Sequence, residues 1–169
     1  YDICHFAVGF EDHATILKEL KKHQIKVGRI QISAALKADI APNPVDREKA
    51  MDAFRHFNES TYLHQVVARQ EDGTLKRYPD LPEALADGKF PGTREWRSHF
   101  HVPLFVEDYG VLQSTQSDIE KVLSVHKKEP VSEFLEVETY TWEVLAKEMG
   151  LPLKDSIVRE LEWVRSRLK

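Results

Sequence analysis

The chain opens on YDICHFAVGF, residues Tyr1–Phe10, an apolar stretch that carries an acid and a histidine three residues apart. Its apolar residues predict a short buried strand, which would hold Asp2 and His5 at one place in the fold. A carboxylate oxygen and an imidazole nitrogen are both good ligands for a divalent metal. The stretch therefore predicts one half of a metal site, which later strands of the same sheet would complete.

Composition narrows the class of protein. The 169 residues are 41% hydrophobic and 31% charged, with a formal net charge of −4, as in ordinary globular proteins with a sizeable core. The slight acidity argues against a nucleic-acid partner, since such surfaces are usually basic. No apolar run approaches the ~20 residues of a membrane helix, so no membrane partner is expected. The single cysteine, Cys4, excludes an internal disulfide and favours a cytoplasmic location.

Strands and helices alternate along the chain. A helix over 13–24 and a strand over 25–33 follow the opening strand, and this order implies a parallel sheet. Further helices are predicted over 46–57, 115–126 and 154–168, and further strands over 62–69, 74–78, 98–105 and 134–139. The segment 34–98, which contains the hairpin signal Asp72-Gly73, is too long for a simple crossover. We interpret it as an insertion in one domain that spans 1–169.

Two later strands carry further candidate ligands. His99 and His101 alternate with apolar residues on the strand predicted over 98–105, which would be the third strand of the sheet. Glu138 lies at the end of the next strand. Function in parallel sheets gathers at the carboxyl ends of the strands, where these side chains would meet Asp2 and His5. For the two histidines, a polar strand face explains the pattern as well as metal binding does.

The remaining charged groups have simpler explanations. Glu136 and Glu138 on one face of an apolar strand require a cation, which is either a metal or Arg97. Isolated histidines on charged helices or at their ends are predicted to be solvated surface residues; these are His13, His23, His56 and His126.

The motifs resemble those of the xylose-isomerase-like TIM barrels, a superfamily of sugar isomerases and epimerases that also includes endonuclease IV. Asp2-Ile3-Cys4-His5 resembles the Asp-x-x-His element of the sixth strand, and Gly28–Ser33 the seventh strand, with Gln31 where the superfamily presents a histidine. His99-Phe100-His101 resembles the Asp-x-His pair after strand seven in endonuclease IV. Glu138, in Leu135–Thr139, resembles the glutamate of the eighth strand.

Three longer phrases resemble the EboE "metabolite traffic" branch of this superfamily, whose members are sugar-phosphate isomerase-like proteins found with bacterial secondary-metabolite export genes. They are YLHQVV at 62–67, WRSHFHVP at 96–103 and EVETYTWEVL at 136–145. The resemblance implies an α/β fold that forms the C-terminal part of a (β/α)8 TIM barrel, about strands 6 to 8, with an α+β-hairpin insertion after strand 7. A complete barrel takes ~250 residues, so the chain would pair with a missing N-terminal half or with another copy.

The resemblance also implies a function. It predicts a metal-dependent isomerase or epimerase that acts on a small hydroxy-carbonyl metabolite with Mn²⁺, Mg²⁺ or Zn²⁺. Glu138 would be the catalytic proton carrier. The metal ligands would be Asp2, His5, His99, His101 and Glu138. The residues that contact the substrate would be Gln31, Arg97, Lys37 and His64.

Alternative functions remain open at this point. Gln31 is a poor ligand for a transition metal, which favours a non-catalytic metabolite-binding or trafficking protein on the same barrel. The pair His99 and His101 suggests cleavage of abasic DNA by a metal cluster, but the net charge of −4 without a basic run makes this the least favoured enzyme. The simplest alternative is an α/β domain whose histidines are incidental.

Overall fold

A computed structural model describes residues 1–87, 92–141 and 152–169, which form a mixed α/β fold and thereby confirm the expected class. Within these ranges the helices are α1 Ile3–Val8, α2 His13–Lys22, α3 Pro44–Arg55, α4 Leu81–Asp87, α5 Gln116–Lys128 and α6 Leu153–Leu168. The described strands form open sheets and no closed barrel. None of the described helices has the length and apolar character to cross a membrane. Residues 142–145 of the phrase at 136–145 lie outside the described ranges.

The smaller sheet is parallel. Its strands are β1 Ile30–Ile32 and β8 Leu135–Val137, paired with Gln31 opposite Glu136. Asp2 forms a further parallel bridge with Gln31, whose amide donates to the Tyr1 carbonyl at 2.8 Å. Three parallel segments therefore lie side by side, in the order Asp2, β1, β8. Their carboxyl ends meet at one edge, as the strand–helix–strand pattern predicts.

The larger sheet is antiparallel and has six strands in the order β4-β3-β5-β2-β7-β6. They are β2 Ala34–Asp39, β3 Val66–Gln70, β4 Leu75–Tyr78, β5 Thr93–Val102, β6 Asp108–Tyr109 and β7 Leu112–Ser114. The sheet thus runs from 34 to 114, beyond the 34–98 expected for the insertion. The predicted hairpin at Asp72-Gly73 joins β3 to β4, with Gly73 at a φ of 85°.

The expected third parallel strand over 98–105 is wrong. Residues 98–102 end β5, which pairs antiparallel with both β2 and β3. The alternation of apolar and polar residues was correctly predicted, but alternation does not distinguish parallel from antiparallel partners. A single residue, Ser33, separates β1 from β2, so the chain passes directly from one sheet into the other.

The predicted opening strand is also wrong beyond Asp2. Helix α1 begins at Ile3 because Asp2 caps it: Asp2 Oδ1 accepts a hydrogen bond from the His5 amide at 3.2 Å. A short apolar run fits a buried helix as well as a buried strand. The helix buries the four side chains that its periodicity places on one side, Ile3, Cys4, Ala7 and Val8.

The larger sheet has a helix layer on each face. Trp96 on β5 packs against Phe54 of α3, with ring centroids 5.7 Å apart. Phe100 on the same strand packs against Phe57, which follows α3, at 5.1 Å. Because side chains alternate along a strand, the odd-numbered residues of β5 face the opposite layer, which contains α1 and α5. This alternation directs His99 and His101 towards α1.

We expect Ile119→Val to lower the free energy of unfolding by about 0.5–1.5 kcal/mol, because it removes a methylene group from the fully buried face of α5. Urea denaturation would measure the loss. Ile25 is 56% exposed, and Ile25→Val as the matched control should change stability by less than about 0.5 kcal/mol. Equal effects at the two sites would contradict the packing of α5.

His13 is buried rather than solvated, which corrects the expectation for this histidine. It is only 2% exposed, and its Nδ1 lies 2.7 Å from the Tyr1 hydroxyl. The reason is that α2 turns its first residue towards the rings of Tyr1 and Phe6. Burial lowers the pKa of His13 below its usual 6.5, because the charged imidazolium loses its hydration.

This buried histidine predicts a pH dependence of stability. The folded pKa lies below the unfolded one, so the unfolded chain binds the extra proton as the pH falls below 6.5. Stability is then lost towards acid, with a slope of up to about 1.4 kcal/mol per pH unit from one group. Urea unfolding at several pH values should show a shallower slope in His13→Gln than in the parent. The exposed control His23→Gln should keep the parent slope, and an unchanged slope in His13→Gln would refute the assignment.

Candidate metal centre

Three ligand groups meet where α1 covers the larger sheet. Cys4 lies in the first turn of α1, and His99 and His101 lie on the facing side of β5. Their ligand atoms all fall within 4.8 Å of one another. Cys4 and His101 are buried, and His99 is half-buried. This group, Cys4–His99–His101, could hold a metal ion.

The spacing fits a tetrahedral ion. The Nε2 atoms of His99 and His101 lie 3.2 Å apart. This is close to the separation of about 3.3 Å between two nitrogens that bind the same zinc ion at the usual distances. A sulfur–nitrogen edge of the same site measures roughly 3.5 Å. Because the ligand atoms lie within 4.8 Å of one another, the Cys4 sulfur would have to move by roughly 1.4 Å at most. Thiolate and imidazole ligands suit Zn²⁺ better than Mg²⁺ or Mn²⁺, which prefer oxygen.

Burial prepares the two histidines for metal binding. It lowers the pKa of His99 to about 4 and that of His101 to about 3, and the charges of neighbouring histidines act in the same direction. Both rings are therefore neutral at pH 7, with a lone pair available for a metal.

The cysteine, unlike the two histidines, must lose a proton before it can bind a metal. Burial raises the pKa of the Cys4 thiol, and the carboxylates of Asp2 and Glu138 raise it further. The thiol therefore keeps its proton until a cation replaces it. Metal binding at this group would release that proton.

Two acidic residues, Asp2 and Glu138, border the metal group at the carboxyl ends of the parallel segments. Gln31 Nε2 donates to Glu138 Oε2 at 2.9 Å, and Ser33 Oγ donates to Asp2 Oδ1 at 3.3 Å. Burial raises the pKa of Glu138, and the charges of Asp2 and Glu136 act in the same direction. A carboxyl whose pKa is raised towards neutrality is suited to exchanging protons.

His5 joins the two parts of the site. Its ring centroid lies 4.3 Å from that of His99, and its Nε2 lies 3.6 Å from Asp2 Oδ2. Of the five ligands predicted from the sequence, the structure thus groups His99 and His101 with Cys4. The other three, Asp2, His5 and Glu138, border the group.

Aromatic and hydroxyl side chains support the histidines from behind. The ring of Tyr140 lies 4.2 Å from that of His101, and Tyr62 packs against Tyr140 at 4.7 Å. Thr141 Oγ1 donates to the main-chain carbonyl of His101. Contacts of this kind fix the orientation of ligand rings.

Arg97, a predicted substrate contact, is occupied elsewhere. Its guanidinium donates to Glu95 Oε1 at 2.8 Å, to Asp118 Oδ2 at 3.2 Å and to the Ala7 carbonyl at 2.7 Å. It joins α1 and α5 to β5. The cation beside Glu136 is Arg29 instead, whose Nη1 donates to Glu136 Oε2 at 2.6 Å.

The other three residues predicted to contact the substrate lie in different parts of the fold. Gln31 lies in the site beside Glu138. His64 is buried, with its Nε2 2.9 Å from Glu59 Oε1 and its Nδ1 3.3 Å from the His99 carbonyl, so it supports the main chain of β5. Lys37 is half-buried on β2, opposite Arg97.

Three residues of the site are not predicted from the sequence in these roles: Cys4, Arg29 and Tyr140. In the sequence, Cys4 serves only to exclude an internal disulfide. The spacing of Ile3, Cys4, Ala7 and Val8 fits one buried helix face, but the run is too short and too uniformly apolar for that spacing to choose a helix over a strand.

Comparison of the chain with protein-family models, with curated proteins and with solved structures found no match in any of the three. The site therefore defines the class of this protein on its own: a mixed α/β protein with a candidate cysteine–histidine metal centre.

Proposed function

We propose that the chain is a metal-dependent isomerase or epimerase of the sugar-phosphate type, acting on a small hydroxy-carbonyl metabolite. One observation carries the proposal. The Cys4–His99–His101 group lies beside the carboxyl of Glu138, whose pKa is raised by burial, at the shared carboxyl end of three parallel segments. The motif resemblance described above names the reaction class.

The order of the parallel segments supports a partial barrel. Asp2, β1 and β8 are neighbours in chain order, as consecutive strands of a (β/α)8 barrel would be. The antiparallel sheet then corresponds to an insertion after β1. On this proposal, further parallel strands come from the other part of the barrel or from a second copy of the chain.

The ligand types favour zinc among the three expected metals. Cys4, His99 and His101 would supply three ligands, and a protein group or the substrate would supply the fourth. When bound, the metal would polarise the substrate carbonyl and stabilise the enediolate that forms from it.

The carboxyl groups of the chain would handle the proton. Glu138 would take it from the carbon next to the carbonyl and return it, on the same face, to the former carbonyl carbon. Epimerisation would need a second acid on the opposite face. Gln31 donates to Glu138 Oε2 and so orients the carboxyl, which gives this glutamine a role where the resembled enzymes present a histidine. Ser33 holds Asp2 in the same way.

Deuterium exchange tests the reaction class without knowledge of the natural substrate. The zinc-loaded protein would be incubated in D₂O with a panel of aldoses, ketoses and their phosphates, and NMR would follow the proton next to the carbonyl. We expect exchange in at least one compound with zinc and none after chelation. If the protein bound one zinc ion per chain but exchanged the proton of no compound in the panel, the proposed enzymatic function would be overturned.

A second candidate, a non-catalytic metabolite-binding or trafficking protein, is favoured by the hydrogen bond that Gln31 makes to Glu138. That bond occupies one of the two carboxylate oxygens and so leaves fewer acceptor positions open to a substrate proton. Saturable binding of a panel compound that persists in Glu138→Gln, together with no exchange in the parent, would favour this function over the enzyme.

A further inference from the structure

A cleft opens beside the candidate metal centre. It has a volume of about 350 Å³ and lies between α1 with its C-terminal end and the edge of the larger sheet near β3 and β4. His5, which packs on His99, forms one wall. Gln65 lies on another, and its main-chain carbonyl accepts from the His99 amide at 2.8 Å. The cleft is thus continuous with the residues around the metal group.

Strand register places a cation in this cleft. Arg77 on β4 is directly opposite Val67, which is in turn opposite Arg97 on β5. Directly opposed residues point to the same face of a sheet, so Arg77 lies on the face that α1 covers. It lines the cleft together with His5 and Tyr78.

The charge of Arg77 is not neutralised within the described residues. Its neighbours on the sheet are paired, since Arg69 and Arg97 both form ion pairs with Glu95. Arg77 has neither an ion pair nor a side-chain hydrogen bond within 1–87, 92–141 and 152–169. In the described part of the chain, the residues that line the cleft include no carboxylate. In a chain of net charge −4, this makes the cleft a local positive site.

We propose that this cleft binds the anionic group of a small metabolite, a phosphate monoester or a carboxylate, with Arg77 as its anchor. A guanidinium pairs with either group through two parallel hydrogen bonds. The rest of the molecule would extend past His5 to the metal group. The volume matches the lower end of small-molecule sites, which begin at about 300 Å³.

The inference deepens the proposed function by assigning an anionic substrate. It rests on that function for the identity of the end of the substrate that reacts at the metal group. Arg97 and Lys37 are the two cations among the residues that the sequence predicts to contact the substrate. Because Arg97 is neutralised by Glu95 and Asp118, the assignment moves to Arg77.

Binding of inorganic phosphate tests the site. Phosphate would be titrated into the protein as purified, and again after chelator treatment so that no metal contributes. The amide NMR signals of Gly9 and Val67 in the cleft would report the binding. We expect saturable shifts in both preparations, an affinity at least tenfold weaker in Arg77→Gln, and the parent affinity in Arg94→Gln, an exposed arginine of β5 outside the cleft.

A parallel titration with acetate distinguishes the two anions. Binding of acetate as tight as that of phosphate assigns a carboxylate site, and binding of phosphate alone assigns a phosphate site. Unsaturable shifts, or equal affinity in Arg77→Gln and the parent, would overturn the site. The chelated arm needs neither metal nor turnover, so its failure is separate from a failure of the proposed isomerase.

Discussion

Replacing Cys4 with serine is expected to weaken zinc binding by at least 100-fold. Loss of a group that merely orients a ligand costs about 10–100-fold, and loss of a directly bound thiolate should cost more. Serine is close to cysteine in size, so the buried turn of α1 should keep its packing. Its hydroxyl does not ionise near neutral pH and is a poor replacement for a thiolate. A competition titration against a coloured zinc chelator would measure the change.

The matched control for this variant is another buried polar residue outside the group. His13→Asn changes a buried histidine of α2 that contacts Tyr1 and not the metal group, and should leave zinc affinity at the parent value. His101→Gln should lose affinity as Cys4→Ser does. Parent affinity in Cys4→Ser would contradict the assignment of the thiol as a ligand.

Glu138→Gln is expected to slow deuterium exchange by about 10²–10⁴-fold, the usual contribution of a positioned acid or base. The amide keeps the size of the side chain and its hydrogen bond with Gln31, but it cannot carry the proton. Zinc affinity should change little, because Glu138 borders the metal group without joining it. The NMR exchange measurement on the zinc-loaded protein would report the rate.

Glu136→Gln is the matched control, since Glu136 lies two residues earlier on β8 and is exposed, paired with Arg29. Its exchange rate should stay within about tenfold of the parent, because the Glu136 charge contributes less to the raised pKa of Glu138 than burial and Asp2 do. If both variants exchanged at the parent rate, Glu138 would have no part in proton transfer.

The elements that the sequence predicted well are those with a local signal. The apolar spacing of Ile157, Leu161, Val164 and Leu168 located α6 to within a residue, and Asp72-Gly73 located the β3–β4 hairpin. The buried face of α6 was wrong, since the helix buries Ser156, Glu160 and Val164 and leaves Ile157 and Leu161 exposed. The opening stretch has neither kind of signal. Its secondary structure depends on a single cap by Asp2, and a short buried run gives no period by which to choose.

The residues of the site likewise include some that a local sequence pattern predicts and some that only the folded contacts bring together. His99 and His101 were placed on one face because alternation along a strand is local. Their partner Cys4 depended on the helical phase of α1 and on its packing against β5, which pattern alone does not supply. Arg97 and Arg77 look equivalent in sequence. Only the folded contacts of Arg97 with Glu95 and Asp118 separate a structural cation from one with a free charge.

Cobalt substitution tests the central claim, the cysteine–histidine metal centre, most directly. Co²⁺ added to the chelator-treated protein should bind with one ion per chain, give the intense visible absorption of a tetrahedral site, and show a thiolate-to-cobalt charge-transfer band that is absent in Cys4→Ser. The absence of stoichiometric binding, or a weak octahedral spectrum without the thiolate band, would contradict it.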